Sequence, residues 1–152
     1  MNNFINADSY ELIKTSIPIV CVDLLIVKNG KVLLLKRKNA PARGQWWYPG
    51  GRIFKNETIF DAAKRKGMEE IGILLEPRKI ISVEESIFTL DTDEVDIHTI
   101  NIVTLMKFIN SDFSIKLDEN HSEFKWFSEI NVPLHPAVRN PLEKINYKFN
   151  CE

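Results

Sequence analysis

Gly51-Arg-Ile-Phe-Lys-Asn-Glu57, seven further residues, then Arg65-Lys66-Gly67-Met68-Glu69-Glu70-Ile71-Gly72-Ile73 is the stretch that decides how this chain is read. It is a glycine turn, a spaced glutamate, and a helix closing on two adjacent carboxylates. The spacing predicts a helix over 58–71, with Gly72 placed as its C-terminal stop. On that helix positions 66, 69 and 70 fall on one face, so Glu69 and Glu70 project near each other. Glu57 stands at the helix start, where a carboxylate suits the positive end of the dipole. Carboxylates this close repel one another unless a cation lies between them. Mg²⁺ takes oxygen ligands and bridges protein carboxylates to phosphates. The Gly50-Gly51 pair can bring a backbone carbonyl close, because glycine has no Cβ. The plainer alternative is an exposed acidic helix with ordinary ion pairs.

Outward from this stretch, residues 17–27 and 31–37 are rich in Val, Ile and Leu and read as strands. Asn29-Gly30 joins them as a hairpin turn. Residues 41–52 read as a loop. Residues 78–90 and 95–109 read as two long strands, 113–116 and 123–127 as shorter ones, and 135–147 as a last helix restricted by Pro136 and Pro141. Hairpins mixed with helices predict an α+β fold, an α/β/α sandwich with a mixed sheet between helices.

The 152 residues suffice for a single domain spanning 1–152 with its own core. A net charge of −1 offers no electrostatic footprint for nucleic acid. Cys21 and Cys151 form no disulfide framework, and the N-terminal residues lack a basic segment followed by an apolar run. The apolar run 17–27 contains Asp23 and is too short to span a bilayer. The expectation is a cytoplasmic protein with no membrane or nucleic-acid partner.

The central stretch resembles a Nudix box, Gly-x5-Glu-x7-Arg-Glu-U-x-Glu-Glu-x-Gly-U with U a bulky apolar residue. Six of its seven fixed positions are present: Gly51, Glu57, Arg65, Glu69, Glu70 and Gly72. At roughly one residue type in fourteen per position, six matches arise by chance on the order of once in ten million starts. The resemblance implies the Nudix fold, a Mg²⁺ cofactor (Mn²⁺ also serves such sites) and a nucleoside diphosphate derivative as substrate. It implies a structural part for Gly51, Glu57 and Gly72. Two positions depart from it. Gly67 replaces the first apolar residue and costs about 1 kcal/mol in a helix relative to Ala. Lys66 replaces the glutamate that in the family commonly acts as base or metal ligand. An ordinary lysine is protonated at neutral pH and does neither.

The loop Leu117-Asp-Glu-Asn-His121 narrows the resemblance to the GDP-mannose mannosyl hydrolase group, which also lacks that glutamate and carries a Gln-His pair in a similar loop. Here the pair is Asn120-His121. By that resemblance His121 is the base, and Gly50, Glu69, Glu70 and Asn120 hold the metal. Arg37 and Arg52 take the diphosphate, with Arg65 either joining them or pairing with Glu57. Asp23 either accepts from a guanine edge or makes a structural hydrogen bond. The group's aromatic and histidine contacts are replaced here by Ser86 and Asn101. The implied reaction sends water to the anomeric carbon of a nucleotide diphosphate sugar, with inversion, in a homodimeric enzyme. Two rivals stay open: a pyrophosphohydrolase attacking phosphorus with Glu69, Glu119 or Glu123 as base, and a non-catalytic nucleotide-binding module.

Overall fold

The computed structural model describes residues 5–147; Cys151 lies outside them. The elements run α1 (Ala7–Ser16), β1 (Ile19–Lys28), β2 (Lys31–Arg37), β3 (Trp46–Trp47), β4 (Gly50–Arg52), α2 (Ile59–Ile71), β5 (Leu75–Phe88), β6 (Ile97–Phe108), β7 (His121–Phe127) and α3 (Pro136–Lys144). β1 pairs in parallel with β6, and every other pairing is antiparallel, so the sheet is mixed.

The β1–β2 hairpin is paired only next to its turn, at Val27↔Val32 and Lys28↔Lys31. Asn29 and Gly30 both have positive φ there (51° and 73°), as a two-residue hairpin turn requires. Beyond the turn the strands part. β3 pairs with β2 at 35–36, and β4 pairs with β1 at 21–23, along the edges the hairpin has released. The expected loop 41–52 therefore contributes two short strands to the sheet. Its pairing depends on the splay of distant strands, which no local pattern records.

Alternating side chains of β1 and β2 build two cores, one on each face. Val22, Leu24, Ile26, Leu33 and Leu35 pack with Ala62, Ala63 and Ile71 of α2. Leu25, Val32 and Leu34 pack with Ala137, Val138 and Leu142 of α3. The result is the expected α+β arrangement, helix, mixed sheet, helix.

α2 begins at Thr58, whose hydroxyl accepts from the Asp61 amide at 3.1 Å. It ends at Gly72 (φ 68°), with the Ile73 amide reaching back to the Gly67 carbonyl at 3.2 Å. α1 was not read from the sequence. It is capped by Asn6 but buries no residue, so it lacks the apolar stripe by which a helix is recognised. The expected strand 113–116 is absent. The Lys116 amide donates to the Ile71 carbonyl at 3.0 Å and the Asp118 amide to the Glu70 carbonyl at 3.2 Å. These donors satisfy the free carbonyls at the end of α2 rather than a sheet ladder.

Candidate active site

The splayed hairpin opens a cavity of about 280 Å³ on the α3 side of β1. Asp23, Arg37, Gly50, Gly51 and Arg52 of the expected site residues line it, with Trp47, Thr99 and Asn101. Glu57, Arg65, Glu69, Glu70, Asn120 and His121 are not part of this wall. The glycine turn ties the cavity wall to the box helix, because the Gly50 amide donates to Glu70 Oε2 at 2.8 Å. The turn lies so close to β1 that a Cβ on Gly50 would stand 2.3 Å from the Val22 carbonyl oxygen and 2.5 Å from Asp23 Oδ1. Only glycine fits there.

Asp23 sits deep in the cavity, 2% exposed. Its Oδ2 accepts from Asn101 Nδ2 at 3.0 Å and from Trp47 Nε1 at 3.4 Å. Thr99 Oγ1 donates to Asn101 Oδ1 at 2.6 Å and so fixes the amide orientation. Burial pushes the Asp23 carboxyl up to about 7 against the opposing pull of these hydrogen bonds. Sequence reasoning registered Asn101 as a departure from the resembled group; its partnership with Asp23, 78 residues away, is visible only in the fold.

Arg37 Nε donates to the Pro41 carbonyl at 2.7 Å. Burial lowers its pKa from the ordinary value, opposed by Glu70 and Asp23. Arg52 stacks on Tyr10 of α1, its guanidinium carbon 4.4 Å from the ring centroid. Arg65 is held elsewhere. It donates to both oxygens of Glu57 (2.7 and 2.8 Å), to the Arg52 carbonyl (2.9 Å) and to Glu69 (3.1 Å). Glu57 also accepts from the Phe54 amide at 3.0 Å. Of the two readings for Arg65, this geometry is that of the pair organising the turn.

Glu69 and Glu70 converge on a single cation, the ammonium of Lys66, at 3.1 and 2.7 Å. Among the described residues no three His, Cys, Asp or Glu side chains group as a metal cage. An oxygen donor set of two converging carboxylates next to a glycine turn nevertheless suits a hard divalent ion that keeps several waters. Gly50, Glu69 and Glu70 therefore fit the ion that the box implies.

His121 opens β7, opposite Arg37 across a β-bulge. Its side chain is only 4% exposed, and Nδ1 lies 2.7 Å from Asp118 Oδ1. Asp118 also accepts from the Asn120 amide at 3.1 Å and from Asn120 Nδ2 at 3.0 Å. Asn120 Oδ1 in turn accepts from Asn39 Nδ2 at 2.8 Å. The Asp118 carboxyl is raised by burial, but hydrogen bonds from Asn120 and His121 outweigh this and hold it below its usual range. Asp118 was missed as a site residue. An Asp two residues before an amide it caps is a turn signal, and that reading hides its contact with the imidazole.

A family model described as the NUDIX domain matches residues 18–149. The chain belongs to the Nudix hydrolase family. Over 140 residues it is 36% identical to the low-salt glycan biosynthesis protein Agl8 of Haloferax volcanii, covering 91% of this chain and 89% of that one. It is 34% identical over 116 residues to an ADP-ribose pyrophosphatase of Methanocaldococcus jannaschii, covering 76% of this chain and 65% of that one. The crystal structure of a MutT NUDIX hydrolase from Burkholderia pseudomallei superposes with a TM-score of 0.73 at 30% identity, covering 86% of this Nudix chain and 99% of the other. No helix among the described residues is long and apolar enough to cross a membrane.

Proposed function

We propose that this Nudix hydrolase cleaves a nucleotide diphosphate sugar of the GDP-mannose type at the anomeric carbon, releasing GDP and the sugar with inversion. The observation that carries this reading is the Asp118–His121 contact in a chain whose box glutamate is replaced by Lys66. Asp118 holds Nδ1 of the ring and leaves Nε2 to accept a proton. Water oxygen bonds to the anomeric carbon as its proton passes to His121. The carbon–oxygen bond to the diphosphate breaks with its electron pair leaving on the phosphate oxygen. The sugar needs no general acid, because the diphosphate is a stabilised leaving group once Arg37 and Arg52 pair with it. Bound Mg²⁺ or Mn²⁺ would supply further charge stabilisation to that leaving group. Gly50, Glu69 and Glu70 would hold it, with Asn120 using the second lone pair of its amide oxygen. Asp23 Oδ1, not engaged by Asn101 or Trp47 and packed against the Gly50 turn, would be the acceptor for a base edge. Reaching the sugar requires the 118–121 segment to bring its buried ring to the cavity.

Attack at phosphorus is the second reading. The pyrophosphatase relative and the burial of His121 favour it. Hydrolysis of a nucleotide-sugar panel in ¹⁸O-water separates the two. Label in the free sugar supports the carbon mechanism, and label in a nucleotide or sugar phosphate overturns it. Binding without turnover would identify a non-catalytic module.

The working unit is proposed to be a cytoplasmic homodimer. Among the described residues β5 is an edge strand paired only with β6, and it exposes Ile80, Val83 and Ile87. Such an edge is protected by pairing with a second copy.

A further inference from the structure

Lys66 does more than mark a missing glutamate. Its ammonium lies 2.7 Å from Glu70 Oε1 and 3.1 Å from Glu69 Oε2, at the point where the two carboxylates converge. The other Glu70 oxygen is already taken by the Gly50 amide at 2.8 Å. Glu69 is also held by Arg65, which donates to both of its oxygens at 3.2 and 3.1 Å. The lysine stem is not a loose surface chain: its side chain is 15% exposed, and a Cβ on Gly51 would stand 2.9 Å from its Cε. Lys66 thus offsets the repulsion between the two converging carboxylates, with Arg65 shared between Glu69 and Glu57.

We infer that Lys66 is a tethered cation occupying the divalent-metal position, so that a metal ion enters only by displacing its ammonium from Glu70. Two cations cannot share that point. An ion bound at about 2.0–2.1 Å from carboxylate oxygen would lie well inside the repulsive reach of an ammonium at hydrogen-bond distance. Displaced, the ammonium remains on a flexible four-carbon stem beside Gly51, which lines the cavity together with Arg37 and Arg52. It would then add a third positive group facing an anionic ligand. The pair should therefore be stable with no metal, and metal should bind weakly until a diphosphate arrives to receive both cations. By linkage, metal and diphosphate each raise the affinity for the other. The inference rests on the hydrolase reading only in taking Glu69 and Glu70 as the metal position.

Mn²⁺ binding to the ligand-free protein, read by electron paramagnetic resonance of the free ion, tests this directly. Lys66→Met keeps the stem and removes the charge; it should bind Mn²⁺ about tenfold or more tighter than wild type. Lys66→Arg should stay as weak as wild type. Glu70→Gln placed on Lys66→Met should abolish the gain. The melting temperature gives a second readout. The wild type should be indifferent to EDTA, whereas Lys66→Met should melt lower in EDTA and recover with Mn²⁺. Equal Mn²⁺ affinity in wild type and Lys66→Met overturns the inference whatever the turnover. Should Lys66→Met not fold, a wild type whose melting temperature falls in EDTA overturns it as well. Absence of turnover with the expected affinities would overturn the hydrolase reading and leave this one standing.

Discussion

Three short contacts define what individual residues do here. Lys66 shows how one substitution changes the electrostatics of a box while leaving its backbone intact: the helix, its caps and the Gly50–Glu70 bond are all present around it. Asp118 is a positioning residue in the proposed mechanism. Asp118→Asn removes the anion that orients His121, and turnover should fall about 10²-fold with little change in KM, measured by steady-state kinetics on the active nucleotide sugar. Asp23 makes a prediction about stability. Its folded pKa of about 7 stands above the unfolded value of about 3.9, so the folded state holds more protons between those limits. Its contribution is fully present below about pH 4 and is lost as pH rises through 7. Asp23→Asn should flatten this dependence, gaining on wild type by at most about 1.4 kcal/mol per pH unit across the window in urea unfolding. The sequence already set Lys66 on the helix face of Glu69 and Glu70. The partners of Asp23 and Asp118 were not legible, because Asp23 meets Asn101 across 78 positions and the Asp118 contact has the spacing of an ordinary turn.

Helix α2 is the element the sequence describes best, since caps and period are local properties. Its one anomaly, Gly67, has a tertiary cause. A Cβ there would lie 3.0 Å from the Ile73 carbonyl oxygen and 3.2 Å from Leu75 Cδ1, both part of the turn and strand that fold back over the helix. Gly67→Ala should gain about 1 kcal/mol of helix propensity and lose about 1–3 kcal/mol to overpacking. The expected net effect is a loss of about 1 kcal/mol, read as a lower midpoint in urea. Strand β5 teaches the opposite lesson. It buries Ser82, Glu84 and Ser86 and exposes Val83 and Ile87, inverting the usual pattern. Alternation identified the strand but not which side faces inward. Asn140 and Lys144 of α3 supply Glu84 with partners at 3.1 and 3.3 Å, and only the placement of α3 makes that buried carboxylate tolerable.

For the whole molecule, the edge strand β5 bears on assembly. Val83→Lys with Ile87→Lys should convert a wild-type dimer to a monomer in sedimentation velocity; a wild type that already sediments as a monomer removes the homodimer from the proposal. The cavity belongs to this scale as well. It exists because the β1–β2 hairpin parts beyond its turn and admits the Trp46–Trp47 and Gly50–Arg52 strands between its arms. The sequence alone determined the Nudix box, the helix that carries it, the tight hairpin turn and the mixed-sheet class. The box, helix and turn follow from spacing along one stretch of chain, where backbone sterics and side-chain periodicity act. The sheet class follows from the order of strand-like and helix-like segments. Only the tertiary structure decided which backbone amide reaches Glu70, which charged groups face the cavity, and where the 113–120 segment spends its backbone donors. Those outcomes depend on groups brought together from separate elements, and pairwise electrostatics and burial act on distance in space, which the order of residues does not record.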